Sequence, residues 1–481
     1  MGIPSLRPYQ FLAIDTVADR MREGHRSVLL VSPTGSGKTI IAAEVVRRMV
    51  AHRKRTLFVA HARQLVYQAS EKLTDIGVDH GVIMAGVRPR ASMVQVASLH
   101  TVSHRELPPA DLLILDEADL ARANSYAPLL RRYSDAFVLG PTATPWRADG
   151  KGLKDTFSES VLVATPRELI DQGYLVPYDP FLFEALDVSG VGTDRDGEFD
   201  EKELGRRAVS AQGRGIVGNV VKEYRDRTPG RRGVVFAVTV EHSKMLIREF
   251  VAAGVPAEHI DGDVPQRERA AMFDRVRRGQ TLVLGTVGVL TRGVDIPELE
   301  VCMLARPTKS LSLFLQMVGR CMRLSPATGK TRAIIHDHAG CMWRNGRRVH
   351  GLPDDPRDYS LTADLCAVDE TAKGPPRCRA CGALVRPGAD RCPVCGAARP
   401  CVRVEAPVAV PGRAITASEA RGIEADRDPV AEVVFLSREI VKAAKAGEKL
   451  ELPIARFRVR FGFWPTAGQI AAARRAAERA V

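Results

Sequence analysis

Long hydrophobic runs are missing from this chain. None of its apolar stretches approaches the ~18 residues that a helix needs to cross a bilayer. The first residues, MGIPSLRPYQ, contain no basic segment followed by an apolar one, and Leu6 stands where a myristoylation motif needs serine or threonine. We therefore expect no membrane span, no secretory signal and no lipid anchor, and the sequence predicts a cytoplasmic protein.

A disulfide framework is not indicated either, because the cysteines are odd in number. Nine cysteines occur among 481 residues, and four of them fall in two Cys-x-x-Cys pairs. This pattern is typical of a metal site in a reducing compartment. The remaining cysteines are interpreted as ordinary thiols: Cys302, Cys321, Cys341, Cys366 and Cys401.

Positive charge is in excess, with 70 lysines and arginines against 57 acidic residues and a net charge of +13. That excess suits a polyanionic partner, although it is also a common solubility device. The length exceeds what one hydrophobic core usually holds, so roughly two or three domains are expected.

Two series of short apolar runs alternate with helical patterns, one from Ser27 to Ala143 and one from Gly233 to Ala339. This alternation predicts parallel sheets covered on both faces by helices. The polar stretch VSGVGTDRDGEFDEKE between the two series predicts a linker or a surface excursion. The expected domains are a first lobe (1–178), a linker (179–212), a second lobe (213–340), a linker (341–377), a zinc ribbon (378–396), a linker (397–429) and a helical region (430–481).

The segment SPTGSGKT has the composition of a phosphate-binding loop between a strand and a helix. Its glycines allow backbone N–H groups to wrap phosphates, Lys38 can reach the terminal phosphates, and the Thr39 hydroxyl can bind magnesium. Ser32 replaces the first glycine of the strict motif. The predicted nucleotide-binding residues here are Pro33, Thr34, Gly35, Ser36, Gly37, Lys38 and Thr39.

Two short segments of the first lobe supply further candidates. In LDEAD, Asp116 is suited to hold Mg²⁺ through water, and Glu117 to orient and deprotonate an attacking water. In PTATP, the hydroxyls of Thr142 and Thr144 could link the state of the phosphates to a contact between domains.

The segment LRPYQ precedes the first helix. The amide of Gln10 can read the edge of adenine, and Arg7 or Tyr9 could pack near the base. The alternative is that this segment is simply the start of a helix.

The second lobe contributes TVGVLTRGVDIPE and QMVGRCMR. Gly293 and Asp295 lie on a loop that can face the nucleotide sugar, and Thr286 can contact phosphate. In the second segment the spacing places three side chains on one helix face, where arginines can neutralise charge on the γ-phosphate. The alternative is a solvated basic face. These residues are Gln316, Arg320 and Arg323.

The cysteine pairs form two Cys-x-x-Cys-Gly knuckles that can present four thiolates to one tetrahedral zinc ion. Four thiolates leave no open coordination position, so a structural and not a catalytic metal is predicted. A redox pair and an iron–sulfur site are the competing interpretations. The four ligands are Cys378, Cys381, Cys392 and Cys395, and nearby arginines that could grip phosphates or aid solubility are Arg377, Arg379, Arg386 and Arg391.

Taken together, the motifs between Leu6 and Ala339 resemble those of superfamily 2 helicases. The resemblance implies an α/β fold of two tandem RecA-like parallel-sheet lobes with ATP in the cleft between them, followed by the small zinc ribbon and a short helical C-terminal region. The segments that carry it are LRPYQ, SPTGSGKT, HARQLV, LDEAD, PTATP, TVGVLTRGVDIPE and QMVGRCMR.

The literal DEAD is also found in RNA helicases of the DEAD-box family, but two features differ from that family. This chain has QMVGR in place of HRxGR, and its TPRELI segment follows PTATP. A closer likeness is to RadD-type DNA-repair helicases and related phage-encoded helicases, which also have a cysteine-rich zinc region. It is carried by GYLVPY, VVFAVTVEHSK, GDVPQRER, ARPTKSLSLFLQMVGRCMRL and DHAG.

The resemblance implies a nucleic-acid groove across both lobes, with contacts mainly to phosphate and sugar. On the first lobe the implied residues are Arg63, Gln64, Ser98 and His100, and on the second they are Thr239, Glu241 and His242.

We therefore expect an ATP-dependent DNA helicase or translocase that uses ATP, Mg²⁺ and a structural Zn²⁺. Its expected partner is single-stranded or forked DNA in repair, recombination or replication, in a bacterial nucleoid or a phage-infected cytosol. An RNA helicase and a nucleic-acid-binding ATP switch without unwinding are the alternatives. The intact Lys38, Glu117, Arg320 and Arg323 argue against the switch.

Overall fold

The structure is a computed structural model that describes most of the chain up to Ala398. The described residues are 6–102, 105, 107–120, 123–147, 150, 152–194, 197–288, 295–362, 377–386 and 389–398, with a few helical residues between 435 and 473. The chain divides into two compact units, of which one contains Arg20–Arg399 and the other combines Gly2–Asp19 with Pro400–Val481.

The first lobe is built on a sheet of seven parallel strands: β1 (Ser27–Val31), β2 (Thr56–Ala60), β3 (Gly81–Ile83), β4 (Val94–Ser98), β5 (Leu112–Leu115), β6 (Phe137–Thr142) and β7 (Glu159–Leu162). Their order across the sheet is β3-β4-β2-β5-β6-β1-β7. Every residue of β2, β4 and β5 is buried. These strands are continuous apolar or β-branched runs because helices cover both faces of the sheet.

The helices of this part of the chain are α1 (Pro8–Arg22), α2 (Lys38–Ala51), α3 (Arg63–Asp75), α4 (Leu99–Val102), α5 (Ala123–Arg132) and α6 (Pro166–Asp171). Helix α6 corresponds to the TPRELI segment and begins with a capping box. The Thr165 hydroxyl accepts a bond from the Glu168 backbone N–H, and the Glu168 carboxylate accepts one from the Thr165 N–H, at 3.2 and 2.7 Å. This reciprocal cap explains the sequence of the segment as a helix start.

The second lobe has six parallel strands: β8 (Tyr178–Leu182), β9 (Gly233–Phe236), β10 (Ala257–Ile260), β11 (Val283–Thr286), β12 (Val301–Leu304) and β13 (Ala333–Asp337). Their order is β10-β11-β9-β12-β13-β8. Its helices are α7 (Glu201–Ala208), α8 (Ala211–Arg227), α9 (Val240–Ala252), α10 (Gln266–Arg277) and α11 (Leu311–Gly319). The predicted fold class of two parallel-sheet α/β lobes is confirmed.

The segment 179–212, predicted as a linker, contains two elements of the second lobe. Strand β8 pairs with β13 and forms the edge of the second sheet. Its Pro180 lacks a backbone N–H, which an edge strand tolerates better than a central one. Helix α7 also lies in this segment, and Leu204 and Ala208 pack into the core of the second lobe.

The segment 341–377, also predicted as a linker, contacts both lobes. A two-stranded antiparallel hairpin is formed by β14 (Trp343–Arg344) and β15 (Arg347–Arg348). Residues 352–362, here called the return segment, then run back to the first lobe. The Tyr359 ring lies 5.3 Å from that of Trp146, and Leu361 packs against the core of the first lobe.

The second compact unit contains most of α1 and the helical residues near the C-terminus. Leu436 and Ala473 are buried in a small cluster with Phe435, Ile440 and Ile470. The predicted linker 397–429, apart from its first two residues, and most of 430–481 lie outside the described residues. No helix within the described part of the chain is both long enough and apolar enough to cross a bilayer.

Phe250 provides a test of the second lobe's core. Its side chain is fully buried and meets the Tyr224 ring edge-on at 5.4 Å. We expect Phe250→Ala to lower the free energy of unfolding by about 3–5 kcal/mol, because it removes buried surface and leaves a cavity. Urea unfolding measures this loss. The neighbouring Val251 is 55% exposed, so Val251→Ala should change the free energy by less than about 0.5 kcal/mol. Equal losses in the two variants would contradict this packing.

Candidate active site

Three candidate segments of the first lobe meet at one edge of its sheet. The phosphate loop (residues 32–39) follows β1, the acidic segment (residues 116–119) follows β5, and Thr142 ends β6. Strand β6 lies directly between β5 and β1. Because the strands are parallel, their carboxyl ends lie side by side, as in ligand sites of open α/β sheets.

The phosphate loop uses two glycines in the left-handed region, with φ of +90° at Gly35 and +87° at Gly37. Side chains rarely adopt such angles, which explains the glycines. The Ser36 hydroxyl donates to the carbonyl of Pro33 at 2.6 Å and fixes the curvature of the loop. Helix α2 then starts at Lys38 without a side-chain cap. A loop that leads into an open helix N-terminus is an arrangement that binds phosphate.

Lys38 and Glu117 form an ion pair with 2.6 Å between Nζ and Oε1, and both side chains are largely buried. Glu117 has φ of +52°, a left-handed conformation that is uncommon for a residue other than glycine. Burial raises the pKa of Asp116 to about 6. The charge of Lys38 opposes this rise, and the charges of Glu117 and Asp119 add to it. The structure thus gathers one ammonium group and several carboxylates around the phosphate loop.

These residues fit the magnesium ion that an ATP site requires. Three neighbouring carboxylates lie near one lysine. Burial is the main reason that the pKa of Asp116 is raised, and the charges of Glu117 and Asp119 add to the rise. A divalent cation would offset the negative charge of these carboxylates, and oxygen donors are the ligands that Mg²⁺ prefers. Asp116 and the Thr39 hydroxyl, on the first turn of α2, are the residues suited to hold it.

A buried hydrogen-bond network links the two lobes. The Ser312 hydroxyl, on α11 of the second lobe, donates to Asp119 Oδ2 at 3.0 Å and accepts from Thr144 Oγ1 at 2.8 Å. Thr142 Oγ1 lies 3.0 Å from Asp119 Oδ1. Gln316 Nε2 lies 3.4 Å from the Ser312 hydroxyl. All five side chains are buried, so the acidic segment, the PTATP segment and α11 form one polar cluster, called here the interlobe network.

The end of α11 lies against the phosphate loop. A Cβ atom placed on Gly319 would lie 2.6 Å from Cβ of Thr34, and one placed on Gly35 would lie 3.3 Å from Cγ of Arg323. Only glycines allow this approach of the two lobes. Arg320 is buried at the end of α11.

Helix α11 ends at Gly319, so Arg320 is its C-cap and Arg323, which forms a β-bridge with Leu175, lies beyond the helix. The prediction that Gln316 and both arginines share one helix face is therefore wrong, because the helix stops before Arg320. The end of α11 and the residues that follow it are nevertheless in direct contact with the loop that would hold the phosphates.

The other predicted nucleotide contacts are distributed as follows. Arg323 forms an ion pair with Asp295, and Gly293 lies outside the described residues. Arg7 and Gln10 belong to the second compact unit. There the Gln10 carbonyl oxygen accepts a bond from the Arg7 N–H at 2.9 Å, which is a local contact at the start of α1.

The predicted nucleic-acid contacts of the first lobe follow two adjacent strands, β2 and β4. Arg63 is exposed at the start of α3, with Gln64 beside it, and His100 is exposed on α4, whereas Ser98 is buried at the end of β4. This edge of the sheet therefore presents two basic side chains to solvent.

In the second lobe the predicted contacts follow β9 and β11, which are also adjacent. Thr239 caps α9 by accepting a bond from the His242 N–H at 3.2 Å, and Glu241 is exposed in the first turn. Thr286 is fully buried at the end of β11. His242 is also buried, burial lowers its pKa to about 4, and its Nδ1 accepts from the Val238 N–H. His242 thus supports the loop from inside.

The four cysteines of the predicted ribbon converge. The sulfur atoms of Cys378, Cys381, Cys392 and Cys395 all lie within 4.8 Å of one another. Backbone N–H groups of Cys381 and Ala380 donate to the Cys378 sulfur and lower its pKa to about 6. A thiolate is the form that binds zinc. The donor set, with four sulfurs around one point, fits a structural zinc ion.

The ribbon is docked on the edge strand of the second lobe. The Leu384 N–H donates to the Pro180 carbonyl at 2.9 Å, and the Arg227 guanidinium donates to the Cys381 carbonyl at 3.2 Å. Arg386 pairs with Asp354 of the return segment, which also pairs with Arg167 on α6 of the first lobe. The ribbon is therefore connected to both lobes, and Arg386 is engaged in a protein contact.

Two residues of the interlobe network, Ser312 and Asp119, are absent from the candidates predicted by sequence. Ser312 lies four residues before Gln316, so both occupy one face of α11. That spacing was the available signal. A serine within an apolar helix does not show by itself which partner it meets across a domain boundary.

Two family models match the chain. The model described as type III restriction enzyme, res subunit, matches residues 3–147, and the model described as helicase conserved C-terminal domain matches residues 216–325. These ranges correspond to large parts of the first and second lobes.

Individual proteins match over both lobes. A Lactococcus phage (isolate 7-9) protein named as a 51.5 kDa protein is 32% identical over 333 residues, which cover 69% of this chain and 68% of that protein. The Saccharomyces cerevisiae protein named "Putative ATP-dependent helicase IRC3" is 28% identical over 345 residues, which cover 67% of this chain and 50% of that protein. The chain thus spans half the length of the yeast relative.

Among solved structures, the fragment of a "putative HsdR subunit" of a type I restriction enzyme from Vibrio vulnificus superposes with a TM-score of 0.52 at 23% identity. The match covers 69% of this chain and 63% of that one. It shows that the two lobes have the same fold as that fragment.

A double-mutant cycle tests the interlobe network. Ser312→Ala leaves buried partners without their hydrogen bonds and should lower the free energy of unfolding by about 1–3 kcal/mol. Because Thr144 shares the bond, Ser312→Ala and Thr144→Val should be non-additive by about 0.5–3 kcal/mol. Calorimetry of the four proteins measures this coupling. Ser189→Ala, at an exposed serine of the second lobe, serves as the control. Strict additivity would show that the two hydroxyls do not interact.

Metal analysis tests the ribbon. Protein purified without chelator should contain about one zinc ion per chain, because four thiolates complete a tetrahedral site. Cys392→Ala should lose the metal, and Cys366→Ala, which lies outside both cysteine pairs, should keep it. Mass spectrometry of the native protein and elemental analysis give the stoichiometry. A wild-type protein without zinc would contradict the site.

Proposed function

Because this chain belongs to the superfamily 2 helicases, we propose that it hydrolyses ATP in response to DNA and uses that reaction to move along the strand. The observation that supports this most is the contact between α11 and the phosphate loop. Side chains of one lobe reach the candidate nucleotide site of the other, so binding of ATP can be coupled to lobe movement.

Binding begins at the phosphate loop. The backbone N–H groups around Gly35 and Gly37 bind the phosphates, and Lys38 pairs with the terminal ones. Lys38 now pairs with Glu117, and the phosphates compete for the same ammonium group. When Lys38 turns to the phosphates, the Glu117 carboxylate loses its cation and becomes a stronger base. The ion pair therefore keeps the base inactive until ATP is bound.

Hydrolysis then uses Glu117 to orient the attacking water and accept its proton. Asp116 and Thr39 would hold Mg²⁺, which would neutralise charge on the phosphates when it is bound. Gln316, Arg320 and Arg323 approach from the second lobe and stabilise negative charge on the γ-phosphate.

The remaining candidates complete the nucleotide site in this proposal. Arg7 and Gln10 contact adenine, and Gly293 and Asp295 face the sugar. Asp295 now pairs with Arg323, so nucleotide binding would exchange that pair for contacts with sugar and phosphate.

The interlobe network can transmit the loss of the γ-phosphate to the surfaces that contact the DNA strand. Thr142 and Thr144 lie between Asp119 in the acidic segment and Ser312 on α11. A shift of α11 therefore alters the PTATP segment directly, because Ser312 is hydrogen-bonded to Thr144. This gives the lobes two discrete arrangements that follow the state of the nucleotide.

The strand is proposed to cross both lobes along the edges described above. Arg63, Gln64, Ser98 and His100 form the first-lobe side, and Thr239 and Thr286 the second. DNA is favoured over RNA because the family model matched by the first lobe is named for a restriction enzyme, and restriction enzymes act on DNA. A role in repair, recombination or replication is part of the proposal, and the zinc ribbon would stabilise the second lobe without taking part in chemistry.

ATP hydrolysis measured with and without single-stranded DNA or RNA tests the proposal. DNA should raise the rate of the wild-type protein, and Lys38→Ala should abolish hydrolysis because phosphate binding is lost. Glu117→Gln should lower kcat by about 10²–10⁴-fold, since the water loses its general base, while binding of a fluorescent ATP analogue persists. Tailed duplexes of both polarities then separate unwinding from movement alone.

The control is Glu71→Gln, a change on α3 away from the candidate site. It should hydrolyse ATP like the wild type. Stimulation by RNA and not by DNA would overturn the choice of substrate, and hydrolysis that ignores both polymers would favour an ATP switch.

A further inference from the structure

Glu198 lies in a short excursion between β8 and α7. Residues Thr193 and Phe199 form an antiparallel bridge there, and the Asp194 N–H donates to the Glu198 carbonyl at 2.8 Å. This is the polar stretch that composition predicts to be a linker. Its Glu198 side chain is directed to the loop that precedes α11.

The Glu198 carboxylate accepts hydrogen bonds from four donors. Oε1 accepts from the backbone N–H groups of Phe199 and Lys309, both at 2.9 Å. Oε2 accepts from the Thr308 hydroxyl and from the Ser310 N–H, the latter at 3.3 Å. A carboxylate has about four acceptor sites, so the side chain is fully engaged, and three of its four donors belong to the loop before α11.

Aromatic and cationic contacts reinforce this position. Phe199 is buried, Lys309 Nζ lies 4.9 Å from its ring centroid, and the Arg344 guanidinium carbon lies 5.5 Å from it. Cations over a ring face are attracted by its quadrupole. The excursion is therefore attached to the loop before α11 by adjacent residues, Glu198 and Phe199.

The loop that Glu198 holds sets the start of α11. The Ser310 hydroxyl caps the helix by accepting from the Leu313 N–H at 3.2 Å. Ser312, two residues after the cap, is the member of the interlobe network that bonds to both Asp119 and Thr144. Gln316 follows one turn later on the same face. A displacement of residues 308–310 would therefore move Ser312 and Gln316 together.

We propose that Glu198 is a positioning residue for ATP hydrolysis, which fixes the start of α11 and thereby the approach of Gln316 and the arginines to the phosphates. The proposal rests on the proposed function, because it assigns to α11 the transition-state contacts argued above. Glu198 itself touches neither the phosphate loop nor the acidic segment in the described contacts. Its effect is transmitted through the backbone of α11.

Glu198→Gln is the sharpest change. Glutamine keeps the size of the side chain, but its NH₂ group replaces one acceptor oxygen and faces N–H and O–H donors. If the NH₂ group takes the place of Oε2, the bond from the Ser310 N–H is lost and the Thr308 hydroxyl must turn from donor to acceptor. Glu201→Gln, at an exposed position in the first turn of α7, changes the charge equally and is the matched control.

We expect Glu198→Gln to lower the DNA-stimulated kcat by about three- to tenfold, while the Kd of a fluorescent ATP analogue and the Tm stay near the wild-type values. Such a split is expected because interactions made only in the transition state affect kcat and not binding. Glu198→Asp, which keeps the charge but is shorter, should restore part of the rate. Glu201→Gln should match the wild type throughout.

Three outcomes would overturn the inference: an unchanged kcat in Glu198→Gln, a fall in kcat that only reflects a lower folded fraction, or an equal fall in Glu201→Gln. Titration with the fluorescent nucleotide counts the folded sites and separates the second case. If the wild-type protein shows no DNA-stimulated hydrolysis, the proposed function itself fails, which is a different result from equal rates in wild type and variant.

Discussion

The buried contact between Ser312 and Asp119 is the constraint on which the arrangement of the two lobes depends. A carboxylate and a hydroxyl that are excluded from water need hydrogen-bond partners within the protein, since an unpaired buried polar group lowers the free energy of unfolding by about 1–3 kcal/mol. Thr144 also donates a hydrogen bond to the Ser312 hydroxyl. If the lobes separated without water entering, several buried polar groups would lose their partners, and the cost in free energy would be larger. The cleft is therefore either closed with its polar groups matched or open and hydrated, with few stable positions between.

Connections outside the cleft limit how the lobes can move. Asp354 is buried and pairs with Arg167 of the first lobe and Arg386 of the ribbon, and it accepts a bond from the hydroxyl of Tyr178 at the start of the second sheet. Through Asp354, the return segment thus connects the first lobe, the second lobe and the ribbon at a place separate from the contacts of α11. Separation of the lobes would break these contacts.

Much of this organisation follows from the sequence, because the segments of the candidate site occupy strand ends and glycine turns that leave a local pattern. The phosphate loop and the acidic pair are predicted for that reason. The segments 179–212 and 341–377 are not, because their order depends on distant partners. Glu198 lies in a glycine-rich polar stretch, and three of its four donors become visible only once the loop at 308–310 is placed beside it. Strand β8 is not predicted from the sequence because it contains Pro180, and a proline disfavours a strand unless the strand lies at the edge of a sheet.

That edge position has a consequence for the behaviour of the protein in the cell. An exposed strand offers unpaired carbonyl and N–H groups to any other chain, and it is a common origin of aggregation. The ribbon occupies this position by bonding to the Pro180 carbonyl through Leu384. The segment that carries the four cysteines thus covers part of the edge strand. If the four cysteines bind zinc as proposed, a second lobe that folds without the metal would leave this edge strand open to self-association, and the supply of zinc would then affect solubility.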